Sequence, residues 1–247
     1  MGIKHIILIK PGILLGFFLC FYNLNAQYRY KLYSTGDPAL AATSIAVFST
    51  AFYMQHRVKP LSESVIRDLK IENVNRFDRI ACRQWNKDLA LTSDIMAAGS
   101  GLMYLYFLGN EKSRSSAFNI GVVGFQSVMI SQALANSLKL SLRKRPYLYN
   151  PAVPMSEKLK ADSRFSFFSA HTSTVSALSF SFAYAHQTYI AGDKKNIGIW
   201  TGAAILPAIE GFLRIKAGKH YPSDVICGYL AGLASSFLMH RMHKVRI

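Results

Sequence analysis

Six apolar stretches divide the chain, at roughly 38–55, 91–109, 117–138, 171–192, 197–213 and 224–240. Each is about 17 to 22 residues long, close to the length at which an α-helix crosses the hydrocarbon core of a bilayer. Apolar positions recur at helical spacing or fill the run throughout, and no sustained alternation predicts a strand. Ala, Gly and Ser are frequent within the runs, as where helices pack closely in lipid. Gly228 and Gly232 stand one turn apart in the last of them. The pattern predicts an all-α fold, a six-helix transmembrane bundle.

The spacers between the runs differ. Residues 57–90 mix Arg57, Lys59, Arg67, Lys70, Arg76, Arg79, Arg83 and Lys87 with acidic residues, and carry Val65, Leu69, Ile71, Phe77, Ile80 and Trp85. They predict one or two short amphipathic helices on a membrane surface, or a solvated helical hairpin. Residues 110–116 and 193–196 predict tight turns. Six alternating crossings bring 57–90, 139–170 and 214–223 to the opposite face. Residues 1–26 place Lys4 and Lys10 before a short apolar run and Ala26, the parts of a secretory signal peptide or an uncleaved signal anchor. The remainder, 27–247, reads as one domain.

Composition sharpens this picture. Hydrophobic residues make up 51% and charged residues 17%, against roughly 25% charged in ordinary soluble domains. The formal net charge is nevertheless +16, which favours anionic partners. The cations lie between apolar runs with no nucleic-acid-binding motif, so acidic lipid or a phosphorylated molecule is the expected partner. Cys20, Cys82 and Cys227 are too dispersed for a disulfide framework or a metal site.

Three polar clusters border the apolar runs. The first is Lys139-Leu-Ser-Leu-Arg-Lys-Arg145-Pro146, the second Ser166-Phe-Phe-Ser169-Ala170-His171-Thr-Ser, and the third spans Arg214, His220 and Asp224. Pro222 suits a first helical turn, which sets Asp224 one turn beyond His220. There the carboxylate can take one ring N–H and leave the other nitrogen as a nucleophile or base. His171 opens a run beside the capping residues Ser169, Thr172 and Ser173, where free backbone N–H groups attract an anion and a histidine can protonate a departing oxygen. Arg145 and Arg214 end runs with planar forks suited to phosphate oxygens. Glu210, one turn before Arg214, either pairs with it or faces a water-filled cavity. Singly, each feature also reads as a cap, a plain helix start or a basic flank of a membrane span. Together they compose a phosphoryl-transfer site without metal.

In order and spacing the clusters resemble the three motifs K-x6-RP, PSGH and SR-x5-H-x3-D of the type 2 phosphatidic acid phosphatase (PAP2) superfamily. That superfamily also includes vanadium haloperoxidases and bacterial class A acid phosphatases. The third motif reads Leu213-Arg214-x5-His220-x3-Asp224, with Leu for Ser, and the second Phe168-Ser169-Ala170-His171, with Phe for Pro and Ala for Gly. In the first, five residues rather than six separate Lys139 from Arg145, and Leu138 holds the family's lysine position. One residue turns a helix by about 100°, so Lys139 reaches a phosphate only through local rewinding, with Arg143 or Lys144 as substitutes.

The resemblance implies the PAP2/haloperoxidase bundle with short interfacial helices, its motif-bearing core at about 90–240. It implies His220 as nucleophile, oriented by Asp224, and His171 as general acid. Lys139, Arg145, Ser169, the Ala170 N–H and Arg214 would hold the phosphate, with no metal or other cofactor. The expected activity is phosphate removal from a lipid phosphate or diphosphate through a phosphohistidine. Phosphatidic acid, phosphatidylglycerophosphate, undecaprenyl diphosphate and lipid A phosphates are the candidate substrates, and no obligate protein partner is implied. The resemblance favours an inner-membrane protein with a periplasm-facing site, whereas the basic 57–90 segment favours the cytoplasm. The alternatives are a secreted soluble acid phosphatase, a vanadium-dependent peroxidase and a non-catalytic protein that binds or transports anionic lipid.

Overall fold

A computed structural model of the chain describes residues 30–191 and 195–245. The expected signal segment, 1–26, lies outside them. Among the described residues there is no strand beyond a single bridge, Tyr30 with Lys244. The long helices are α1 (Gly36–His56), α2 (Lys87–Gly99), α3 (Ala117–Leu138), α4 (Ala170–Tyr189), α5 (Ile197–Lys216) and α6 (Pro222–His243). α2 continues as a 3-10 turn, Ser100–Tyr104, and one further α-turn, Leu105–Gly109. α4 is central and packs against α3, α5 and α6; α1 rests on α3, and α2 on α5 and α4.

Local chemistry sets the helix starts that matter for the site. The Ser169 hydroxyl accepts from the Thr172 N–H at 3.3 Å and caps α4. Pro222 opens α6, where its missing N–H costs nothing, and Asp224 reaches back to take the Tyr221 N–H at 3.0 Å. α5 ends through Gly218, whose φ of +72° favours glycine, and an added Cβ there would stand 2.3 Å from the Gln84 carbonyl oxygen. That turn carries the chain directly into His220.

α4 and α6 approach through glycine. A Cβ on Gly228 would lie 2.5 Å from the Ser169 carbonyl oxygen, and one on Gly232 would lie 2.4 Å from that of Ser173. The contact pins the start of α4 against the first turns of α6. It therefore fixes His171 relative to His220.

The bundle distributes polarity inside out. Ser127, Ser131, Ser173, Ser176, Ser179, Ser181 and Ser236 are buried, while Ile45, Phe52, Leu91, Ile95, Ile205, Phe212, Leu230 and Phe237 are exposed. The buried hydroxyls bond across helices, Ser176 to the Tyr229 carbonyl at 2.7 Å and Ser179 to that of Ala203 at 2.9 Å. Among the described residues one helical stretch, Arg114–Tyr149, is long and apolar enough to cross a membrane by length and composition. The expectation of six such stretches is thus not met. Serine, threonine and histidine dilute α4, Glu210 and Arg214 interrupt α5, and α2 is 13 residues long.

The 57–90 segment also departs from expectation. It forms the short helix Glu63–Arg67 and 3-10 turns at Ile71–Asn73 and Arg79–Arg83. Rather than lying apart, it packs behind the polar loops, with Ile66 against Tyr147 and Leu148, and Ala81 and Cys82 against Tyr221.

Candidate active site

The loops before α4 and α6, the end of α3 and the side of α2 meet at one end of the bundle. His220 is 2% exposed. Its Nδ1 lies 2.7 Å from the carbonyl oxygen of Ser166. A carbonyl only accepts, so Nδ1 carries the proton and Nε2 keeps its lone pair. That lone pair faces Nη1 of Arg145 at 3.2 Å. Burial first, then the charges of Arg145, Arg214 and Lys139, hold the His220 imidazole well below the ordinary histidine range. It is a neutral ring with one available lone pair in a cationic setting.

Arg145 is itself buried and tightly held. Its Nε donates to the Asp162 carbonyl at 2.9 Å, Nη2 to the Asp162 carboxylate at 2.8 Å, and Nη1 to the Lys219 carbonyl at 2.9 Å. Burial opposes ionisation of Asp162, but Arg145 and Lys219 outweigh it and keep that carboxyl below its usual range. Burial and the Arg145 charge push the Lys219 ammonium down to about 8, and it lies over the rings of Tyr147 and Trp85.

Asp224 was expected to hold the His220 ring directly, and it does not. Its Oδ2 is 3.6 Å from Nδ1, beyond hydrogen-bond reach. Instead Oδ2 accepts the Ser166 hydroxyl at 2.5 Å, and Oδ1 pairs with Arg143. Arg143 spans from there to Asp78 at 2.6 Å and donates to the Ser223 hydroxyl at 2.9 Å. Asp78 is fully buried and accepts the Ser223 N–H and hydroxyl at 3.0 and 2.7 Å. Arg143 is therefore committed to two carboxylates, which removes it as the substitute for Lys139.

Lys139 follows a local rewinding. α3 stops at Leu138, a 3-10 turn covers Lys139–Ser141, and Leu142 adopts a left-handed φ of 57°. This turns the chain back so that the charge of Lys139 acts on Arg145, Arg214 and His220.

The opposite wall holds His171 and Arg214, joined by a residue that sequence reasoning missed. Oδ1 of Asp94, on α2, lies 3.0 Å from His171 Nε2 and 2.8 Å from Arg214 Nη1. The carboxylate only accepts, so the facing His171 nitrogen carries a proton. The expected direct pairing of Glu210 with Arg214 is not seen among the described residues. The Ser93 hydroxyl stands between them, accepting from Arg214 Nη1 at 3.1 Å and donating to Glu210. Ser169 and Ala170 lie at the start of α4. The carbonyl of Ala170 is engaged by Gln132, while its N–H belongs to the first turn, where no intrahelical acceptor exists.

The structure thus brings Arg145, Arg214, His171 and His220 to one place, with Lys139 in electrostatic range and Asp224 behind Ser166. Asp94, the Ser166 carbonyl, Asp162 and Asp78 complete the site. Asp94 and Ser93 were legible only as the adjacent polar pair inside an apolar run. The Ser166 carbonyl carries no side-chain signal at all. Among the described residues no cluster of histidine, cysteine and carboxylate groups could hold a metal ion.

No curated protein matches the chain. Among solved structures it is similar to the first transmembrane PAP2 type phosphatidylglycerolphosphate phosphatase from Bacillus subtilis. The two share 18% identity at a TM-score of 0.43, over 83% of this chain and 91% of that one. The PAP2 superfamily matches residues 120–247, just over half of the 247 residues, a span that holds all three motif clusters. The chain belongs to the PAP2 superfamily.

Proposed function

We propose that the protein is an integral-membrane phosphomonoesterase that removes phosphate from a lipid phosphate or lipid diphosphate through a phosphohistidine on His220. The observation that carries this reading is the pair of contacts on that ring. With Nδ1 donating to Ser166 at 2.7 Å, the lone pair of Nε2 is directed at Arg145, 3.2 Å away. An incoming phosphate draws Arg145 Nη1 onto its own oxygen and takes its place before Nε2. The Nε2–phosphorus bond forms as the bond to the lipid oxygen breaks, and His171, entering as the imidazolium with its Nε2–H on Asp94, gives the proton of its other ring nitrogen to that oxygen. Water then attacks the phosphohistidine, His171 takes the water proton, and inorganic phosphate leaves. Arg145, Arg214, Lys139 and the first N–H groups of α4 neutralise the equatorial oxygens.

The outward apolar side chains and inward hydroxyls of the bundle support the membrane setting, since helices in lipid associate through small and polar residues. An acyl or polyisoprenyl chain lies along that exterior while its head enters the site. The serine, threonine and histidine content of α4 favours a second reading, a soluble phosphatase of the same superfamily. Retention in membranes after a carbonate wash separates the two. The proposal takes the site to face the periplasm. A cysteine placed at exposed Phe77 is then labelled by an impermeant thiol reagent in intact cells; labelling only after lysis reverses the orientation.

The test of activity is phosphate release by purified protein from phosphatidic acid, phosphatidylglycerophosphate, a polyisoprenyl diphosphate and lipid A. Release from at least one, lost in His220→Ala with lipid binding retained, is the expected result. Release unaffected by His220→Ala, or binding without release by either protein, contradicts it.

A further inference from the structure

α5 buries one stripe of its surface, formed by Ala203, Pro207, Glu210, Gly211 and Arg214. The stripe is apolar before Arg214 except for Glu210, which is 0% exposed. One of its carboxylate oxygens accepts the Ser93 hydroxyl. The other, Oε2, is closed off from solvent and has no hydrogen-bond partner among the described residues. A carboxyl held this way destabilises the fold, and a leucine in the same place would avoid that cost. Glu210 has no part in the reaction steps proposed above.

Arg214, one turn further on, is anchored through a single nitrogen. Nη1 donates to the Ser93 hydroxyl at 3.1 Å and to Asp94 at 2.8 Å. Nε is closed off without a partner. Nη2 makes no hydrogen bond among the described residues and is not closed off, so it is the nitrogen that an anion in the site meets. Of the two groups on Nη1, Asp94 is the less secure. Its side chain is 55% exposed, and the same Oδ1 lies 3.0 Å from His171. An incoming phosphate repels that carboxylate, and proton transfer from His171 alters what it must balance. Ser93 and Glu210 are fully buried and stand apart from both changes.

We infer that Glu210 is a positioning residue, acting through the Ser93 hydroxyl to keep Arg214 aimed at the phosphate while Asp94 serves His171. By taking the hydroxyl hydrogen, Glu210 leaves only lone pairs of the serine oxygen facing Arg214. Without the carboxyl, that hydroxyl turns to a carbonyl of its own helix, as serines inside helices do, and its hold on Nη1 loosens. This role is tied to the proposed function, in which Arg214 binds the phosphate.

The test titrates the purified full chain, in a non-ionic detergent, with inorganic phosphate by calorimetry and records thermal unfolding beside it. Glu210→Leu is expected to weaken phosphate binding about tenfold or more, with an unfolding midpoint no lower than that of the wild type. Glu210→Gln keeps an oxygen for Ser93 and is expected to stay within about threefold of the wild type. Arg214→Met weakens binding by itself, and adding Glu210→Leu to it is expected to weaken binding no further. If Glu210→Leu does not fold, the double variant Ser93→Ala/Glu210→Leu removes both polar groups and carries the same expectation. Unchanged affinity in the leucine variant, a full further loss in the Arg214→Met background, or no phosphate binding by the wild type overturns the inference. Phosphate release from lipid phosphates separates it from the proposed function. Release by the wild type with unchanged affinity in Glu210→Leu overturns the positioning role alone. Weakened binding in Glu210→Leu, with no release from any lipid phosphate by the wild type, supports the positioning role and overturns the proposed function alone.

Discussion

The hydroxyl of Ser166 donates to Asp224 at 2.5 Å, while the carbonyl of the same Ser166 takes the N–H of His220 at 2.7 Å. Asp224 thus acts on the imidazole through one intervening residue. The arrangement fixes the ring tautomer with a backbone group, and the carboxylate fixes the backbone group.

A graded response to mutation follows. Ser166→Ala removes the bond to Asp224 but leaves the carbonyl, and kcat is expected to fall about tenfold. Asp224→Ala releases Ser166, Arg143 and the Tyr221 N–H together. Its kcat is expected to fall about a hundredfold or more, with KM changed less. Steady-state kinetics on the two variants checks the order. A larger loss in Ser166→Ala contradicts it.

Behind this pair, Asp78 ties the 57–90 segment to the site through Arg143 and Ser223. Removing a fully buried carboxylate leaves Arg143 with Asp224 as its one carboxylate partner among the described residues. Asp78→Ala is therefore expected to cost about 3 kcal/mol or more of stability. Thermal or denaturant unfolding reads the loss, and a change within about 0.5 kcal/mol would mean that the segment is a surface appendage.

Glycine spacing makes a prediction of opposite signs at two sites. Gly228→Ala places a methyl 2.5 Å from the Ser169 carbonyl oxygen, a backbone atom that cannot swing aside. It is expected to cost about 1–3 kcal/mol and to lower kcat/KM more than tenfold by shifting His171. At Gly121, also helical, an added methyl meets nothing within 4 Å. Gly121→Ala is expected to be neutral or stabilising by roughly 0.5–1 kcal/mol. Parallel unfolding and activity measurements separate the two.

The setting of His220 dictates a pH dependence. Burial, then Arg145, Arg214 and Lys139, depress its pKa, and the neutral ring is the reactive form. The acid limb of kcat/KM assigned to His220 is expected below about pH 6.5. Arg145→Met removes a repelling cation and moves that limb to higher pH in the residual activity. Stability carries the same sign. The unfolded chain takes up a proton at His220 that the folded chain refuses, so this contribution is full above about pH 6.5 and declines as pH falls towards the folded value. Unfolding midpoints between pH 5 and 8 measure it.

The parts of the site that were legible in the sequence are those whose spacing is set within one element or one turn. Arg214 and His220 flank the end of α5, and Ser169 and His171 flank the start of α4. The helix runs were legible as apolar blocks, with boundaries shifted by a few residues because capping chemistry, rather than hydropathy, sets the ends. What was not legible depends on tertiary pairing. Asp94 joins His171 and Arg214 only because α2 packs on α4 and α5. The role of Ser166 belongs to a carbonyl common to every residue type. Lys139 stood one position off its motif, and the left-handed Leu142 that follows it is not what a leucine predicts.

The central claim is that the His220 imidazole receives the phosphoryl group. Rapid acid-free quenching during turnover of a radiolabelled lipid phosphate, followed by peptide mapping, tests it most directly. The expected result is an acid-labile, base-stable label on the peptide that contains His220, absent from His220→Ala. Turnover with no label on that peptide, or the same label in His220→Ala, contradicts the account.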